Sequence, residues 1–203
     1  MNYLITGCGY LTKALIKELL LDDNINKIKI FSRNEKEQWK TKTLFNNSKL
    51  DFIIGDVRDY QAMLDALVDV DYCIHTGAIK RIEVAEKQPM EAIKTNVIGS
   101  MNVINAAIAN KVKKLILIST DKATSATTCY GSTKYLMECM GIATIHDVTY
   151  IHDAMDMNSL TYKRYSSDVN EYKYRVFKKT ITELVHQYSL HNKEITFFQE
   201  YLE

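Results

Sequence analysis

Short apolar runs alternate with longer stretches of helical periodicity through the first two thirds of the chain. The runs are Tyr3-Leu4-Ile5-Thr6, Lys27 to Phe31, Asp51-Phe52-Ile53-Ile54-Gly55, Asp71-Tyr72-Cys73-Ile74-His75 and Leu115 to Ile118. Their lengths predict strands. Between them, Leu11, Ala14, Leu15 and Leu19 share one helical face. Asn34 to about Phe45 reads as a polar helix, and Asp59 caps a short helix carrying Met63, Leu64 and Leu67. Pro89 sits near the start of a long helix with Ala92, Ile93, Val97, Met101, Val103, Ile104 and Ala107. This alternation predicts a parallel sheet with helices on both faces, and right-handed crossovers make it a doubly wound α/β fold.

The last third is less regular. Asp147 to Ile151 predicts a sixth strand, and Asp153 to Asp168 is polar and irregular. Glu171 to about Tyr188 predicts an amphipathic helix, with Val176, Phe177, Ile181, Leu184, Val185 and Tyr188 on one face. The chain therefore divides into an α/β domain over residues 1–150 and a divergent helical segment, 151–203, expected to pack on it. His152, His186 and His191 lack metal-ligand spacing, and Tyr162-Lys163-Arg164-Tyr165 reads as surface.

Composition changes little in this picture. The 203 residues suffice for a sizeable core. A net charge of +1 argues against nucleic acid or an anionic membrane as the main partner, so anion binding must be local. The four cysteines, Cys8, Cys73, Cys129 and Cys139, form no C-x-x-C pair, which reads as a reduced cytoplasmic protein without a metal site. No apolar run approaches the roughly 18 residues of a membrane span.

Gly7-Cys8-Gly9 lies between the first strand and the first helix. There a dinucleotide fold receives a pyrophosphate: one glycine makes the turn, the next admits the phosphates, and the helix offers free N–H groups. Thr12 replaces the usual third glycine and should push the helix out slightly. The second strand ends in Ser32 and Arg33, with Lys36 just beyond, where NAD-binding folds place an acid. The fork of Arg33 suits a 2′-phosphate, so NADP is the expected cofactor. Asp56 follows the third strand, where a carboxylate can accept from the adenine amino group. The expected cofactor-binding set is Gly7, Cys8, Gly9, Tyr10, Leu11, Ser32, Arg33, Lys36, Asp56, Val57, Thr76, Lys80, Tyr130 and Lys134.

The densest chemistry follows the fifth strand: Ser119-Thr120-Asp121-Lys122, then Tyr130-Gly131-Ser132-Thr133-Lys134. Tyr130 and Lys134 share a helix face. An ammonium one turn away favours a phenolate and makes the phenol a usable proton acceptor. With 13 tyrosines in the chain such a pair also arises by chance on a solvated helix, so its place at a strand end carries the reading.

Phe31-Ser32-Arg33, Gly55 to Tyr60, Pro89 to Val97, Ser119-Thr120-Asp121-Lys122-Ala123 and Tyr130 to Lys134 together resemble the extended short-chain dehydrogenases/reductases. More closely they resemble the inverting UDP-N-acetylglucosamine 4,6-dehydratases of polysaccharide biosynthesis, over roughly residues 1 to 140. The resemblance implies an NADP-dependent lyase acting on a UDP-sugar. Tyr130 and Lys134 would assist hydride transfer. Asp121 and Lys122 would be the acid and base of water elimination, Thr120 would line the substrate hydroxyl, and Lys80 would lie near cofactor and sugar nucleotide. A homo-oligomer is expected by analogy. A 4-epimerase or ketoreductase on the same fold, or a non-catalytic NADP-binding relative, are the alternatives.

Overall fold

The computed structural model describes residues 1–124, 126–144, 148–151 and 194–200. Seven strands form one sheet: β1 (Asn2–Thr6), β2 (Lys27–Ser32), β3 (Leu50–Ile54), β4 (Tyr72–His75), β5 (Lys114–Thr120), β6 (Val148–Ile151) and β7 (Glu194–Glu200). Their order is β3-β2-β1-β4-β5-β7-β6, and every neighbouring pair is parallel. The expected doubly wound sheet is present. Its strand order reverses between β1 and β4, and ligands bind at the carboxyl ends of such a switch point.

The strands β1 to β5 feed both faces, because successive side chains alternate. On one face Leu4, Phe31, Cys73, Leu115 and Leu117 meet α3 (Tyr60–Ala66), through Met63 and Ala66, and α6 (Gly99–Ala109), through Val103, Ile104, Ala106 and Ala107. On the other, Tyr3, Ile5, Ile28, Ile30, Ile74, Ile116 and Ile118 meet Leu11, Leu15, Ile16 and Leu19 of α1 (Tyr10–Leu19). Burying each large aliphatic side chain contributes about 1.5–3 kcal/mol. These near-continuous apolar runs are the pattern of strands covered on both faces.

The cap residues act as expected. The Asn34 side chain accepts from the Glu37 N–H at the start of α2 (Glu35–Phe45), and Asp59 accepts from Ala62 at α3. The long helix after Pro89 is broken, however. A short helix, α4 (Ile82–Lys87), precedes it, and α5 (Pro89–Ala92) passes through a π-turn, Ile93–Ile98, into α6. An inserted residue has no compositional signature, so the apolar spacing read as one helix.

Two further differences lie toward the end of the chain. β7 was not expected: Ile195-Thr196-Phe197-Phe198 is a strand inserted between β5 and β6. Its flank of Glu194, Gln199 and Glu200 hides a run of strand-forming residues too short to stand out. The helix expected over 171–188 lies outside the described residues. Among the described residues no helix is long and apolar enough to cross a membrane, and no cluster of His, Cys, Asp or Glu could hold a metal.

Candidate functional site

The carboxyl ends of β1 to β4 open into one cleft of about 260 Å³. Gly7 turns the chain out of β1 with φ of +88°, and a Cβ there would sit 2.7 Å from Thr76 Oγ1. Gly9 precedes α1, and a Cβ on it would meet nothing within 4 Å among the described residues. That open space, beside a helix start with neither a side-chain cap nor an acid in its first turn, leaves room for a phosphate against free N–H groups.

Thr12 does not act as expected. It is fully buried, and its hydroxyl donates to the Gly7 carbonyl at 3.2 Å. Leu11, Leu15, Ile16 and Leu19 around it all reach the core, so the predicted outward push leaves no mark on the packing. Cys8 is buried in the same core. Its thiol donates to Thr41 Oγ1 at 3.4 Å, since that hydroxyl already donates to the Glu37 carbonyl, and burial pushes the thiol's pKa up.

Of the expected cofactor residues, Gly7, Cys8, Gly9, Tyr10, Leu11, Ser32, Arg33, Val57, Thr76 and Lys80 line the cleft. Lys36, Asp56, Tyr130 and Lys134 are not among its lining residues. Lys36 is exposed in the first turn of α2. Asp56 is engaged by Arg58, whose Nη2 donates to Oδ2 at 2.6 Å and whose Nε does so at 2.8 Å. Arg33 approaches the same oxygen at 3.5 Å. Burial opposes the charge on Asp56, but the Arg58 hydrogen bonds and both guanidinium groups hold its pKa below the ordinary range.

The second group stands at the end of β5. The Thr120 hydroxyl donates to Asp121 Oδ1 at 3.0 Å, and the Lys122 ammonium lies 3.5 Å from that oxygen. Asp121 and Lys122 sit in a single 3₁₀ turn, Asp121–Ala123, with about a third of each side chain exposed. The helix carrying Tyr130 and Lys134 is α7 (Cys129–Thr144). It packs on this turn through Gly131, where a Cβ would lie 2.3 Å from the Lys122 carbonyl oxygen. Tyr130 is buried against Ala85 and Ala92. Lys134 is buried too, and its ammonium donates to the Ile118 carbonyl of β5. Thr120, Asp121, Lys122, Tyr130 and Lys134 thus gather at one strand end, as the sequence predicts, beside the cleft lining rather than within it.

A buried polar network joins the two groups, and no local sequence pattern signals it. Thr76 N and Gly77 N donate to Thr6 Oγ1, each at 3.1 Å. Ser100 Oγ donates to the Asn96 carbonyl at 2.6 Å, so it accepts from His75 Nε2 at 3.0 Å. His75 Nδ1 then accepts from Thr6 Oγ1 at 2.7 Å, which makes the ring the neutral Nε2–H tautomer. Burial, and next the Lys134 ammonium, pull the pKa of His75 down to about 3. Asn96 clamps the backbone of Ile79 and donates to Thr133 Oγ1 at 3.0 Å, one turn from Tyr130. Its neighbour in the π-turn, Thr95, lines the cleft, and its buried hydroxyl has no hydrogen-bond partner among the described residues.

A parallel sheet with a glycine turn at its switch point and a Tyr/Lys helix after β5 defines an extended short-chain dehydrogenase/reductase. Residues 3–164 match the family described as polysaccharide biosynthesis protein, and the chain belongs to that family. That match takes in the span, roughly residues 1 to 140, over which the resemblance was expected. The chain is 49% identical over 140 residues to a UDP-glucose 4-epimerase of Rickettsia prowazekii, covering 68% of this chain and 41% of that one. It thus spans about two fifths of the length of such relatives. Its fold is similar to that of Pen from Bacillus thuringiensis, with a TM-score of 0.68, 36% identity, and coverage of 70% of this chain and 44% of that one. DesIV, a dTDP-glucose 4,6-dehydratase of Streptomyces venezuelae, shares the fold at a TM-score of 0.64 and 20% identity, covering 70% of this chain and 51% of that one.

Proposed function

We propose that this chain carries the cofactor-binding and proton-transfer machinery of an NADP-dependent nucleotide-sugar 4,6-dehydratase acting on a UDP-N-acetylglucosamine-like substrate. The observation behind this reading is the Asp121–Lys122 pair, held at the end of β5 against the Tyr130 helix. The cleft fits a dinucleotide: Gly7 and Gly9 leave space for the pyrophosphate, and Thr95 offers a buried hydroxyl with no partner among the described residues. DesIV, of similar fold, was solved with NAD bound. Ser32 and Arg33 favour the 2′-phosphorylated form here, with Lys36 adding positive charge close by.

A nicotinamide dinucleotide held in the cleft supplies hydride acceptance from C4 of the sugar and hydride return to C6. The side chains manage the protons. Tyr130 accepts the proton of the C4 hydroxyl, with Lys134 stabilising the phenolate. The C4 ketone acidifies the C5 proton. Asp121 and Lys122 then supply the base for that proton and the acid for the departing C6 hydroxyl, so that one water is lost, and Lys122 delivers a proton from solvent to C5 as hydride reaches C6. Thr120 orients the substrate hydroxyl, and Lys80 in the cleft wall neutralises phosphate charge.

The curated relatives' name, UDP-glucose 4-epimerase, favours a second reading. An epimerase would use Tyr130 and Lys134 and leave Asp121 and Lys122 idle. Incubating the purified protein with NADP and UDP-N-acetylglucosamine in heavy water separates the two. A product lighter by one water and deuterated at C5 supports the dehydratase, and Asp121→Asn should then lower turnover by roughly 100-fold or more. A product of unchanged mass with inverted C4 favours the epimerase. Cofactor binding without turnover of either kind overturns both.

A further inference from the structure

Gln38 points into the end of β2 that the cofactor reading assigns to the adenosine ribose. It lies on α2, only 4% exposed, on a helix whose sequence is mostly polar. Its amide nitrogen lies 3.1 Å from the Ser32 carbonyl, 2.8 Å from the Ile53 carbonyl and 3.0 Å from Ser32 Oγ. The two carbonyls can only accept, so the group facing them is the NH₂. An amide nitrogen does not accept. The Ser32 hydroxyl proton is therefore barred from this contact. Among the described residues no other acceptor bonds Ser32 Oγ. Ser32 lines the cleft, and that is where its O–H is free to point.

The neighbours complete a set of donors. Arg33 lines the same end of the cleft and carries only N–H groups. Asn34 Oδ1 is engaged by the Glu37 N–H. Glu37 itself is paired with Lys13 and Lys40, and Asp56 with Arg58 and Arg33. A ribose 2′-hydroxyl needs an acceptor for its proton, and these side chains are already engaged. A 2′-phosphate has acceptor oxygens alone and is matched by the Ser32 O–H and the Arg33 fork.

Resting on the cofactor reading above, we infer that Gln38 is a specificity-determining residue: by occupying the inner side of Ser32 Oγ it fixes that hydroxyl as a donor toward a 2′-phosphate. Gln38 does this without touching the cofactor.

Calorimetric titration of the protein with NADP and, separately, NAD tests it. Wild type should bind NADP more tightly. Ser32→Ala should weaken NADP binding roughly ten-fold and NAD binding little, since a hydrogen bond to a charged group is lost. Gln38→Met, similar in length and without N–H groups, should act in the same direction. The double variant should be no worse than Ser32→Ala, because both changes remove one interaction. A Gln38→Met protein that loses affinity equally for both cofactors overturns the inference and leaves Gln38 as a pin between β2 and β3. If Gln38→Met does not fold, Ser32→Ala decides: equal losses for both cofactors overturn the inference. A wild type that prefers NAD overturns the cofactor reading itself, and this inference with it.

Discussion

At the scale of single residues, His75 carries the most measurable consequence. Its folded pKa, about 3, lies below the ordinary value of about 6.5 for a free histidine. Above the ordinary value both folded and unfolded chains hold it neutral, and its contribution to stability is complete. As pH falls below that value, the unfolded chain takes up a proton that the folded chain refuses. Stability should then drop by about 1.4 kcal/mol per pH unit until the folded pKa is reached. Urea unfolding at pH 7 and pH 5 should show a loss of about 2 kcal/mol from this group. His75→Gln keeps a donor for Ser100 and an acceptor for Thr6 without titrating, and should remove that part of the slope. None of this was legible in the sequence. His75 reads there as the end of an apolar strand, and its partners Thr6 and Ser100 stand 69 and 25 positions away. Gly7-Cys8-Gly9, in contrast, was legible because the turn and its flanking strand and helix are contiguous. Gln38 escaped notice for a different reason: a buried amide in a polar helix is identical, in pattern, to an exposed one.

At the scale of elements, the site depends on how closely α7 approaches the 3₁₀ turn after β5. Gly131 sets that approach, since a Cβ there would lie 2.3 Å from the Lys122 carbonyl oxygen and 3.1 Å from its carbon. Alanine is the better helix former by about 1 kcal/mol, which alone would stabilise α7. The collision outweighs it, because the obstacle is backbone. Gly131→Ala should destabilise the fold by about 1–3 kcal/mol and shift the turn carrying Asp121 and Lys122. Turnover should fall while NADP affinity stays within two-fold, as no residue of this contact lines the cleft. Denaturant unfolding and calorimetry on the same preparation check both halves. Element identity was read well wherever an apolar face existed, as in α1 and β1 to β5. It was misread where the deciding feature was one residue of helical phase, in the π-turn, or a pairing partner distant in sequence, as for β7 with β5.

At the scale of the whole molecule, the cleft draws its walls from the ends of four strands and two helices. A ligand there joins elements that the sheet alone connects through backbone hydrogen bonds. Binding to the folded state alone stabilises it by mass action, by about 2.7 kcal/mol at a concentration 100 times the dissociation constant. For a chain of this size NADP at that level should raise the melting temperature by roughly 5–10 °C. A thermal melt with and without NADP is the check, and an unchanged midpoint would speak against the cleft as a nucleotide site. The parallel, doubly wound sheet followed from the alternation of runs, but the cleft needed the strand order's reversal between β1 and β4, which no local pattern encodes. The π-turn answers a conflict that arises only at this scale. Thr95 within it lines the cleft, while the stripe Val103, Ile104 and Ala107 after it must face the sheet. One extra residue rotates everything downstream by about 100° about the helix axis. Deleting one residue from Ile93–Ile98 would leave α6 aimed at the wrong azimuth, and the chain could then seal its interior or present Thr95 and Asn96, but not both.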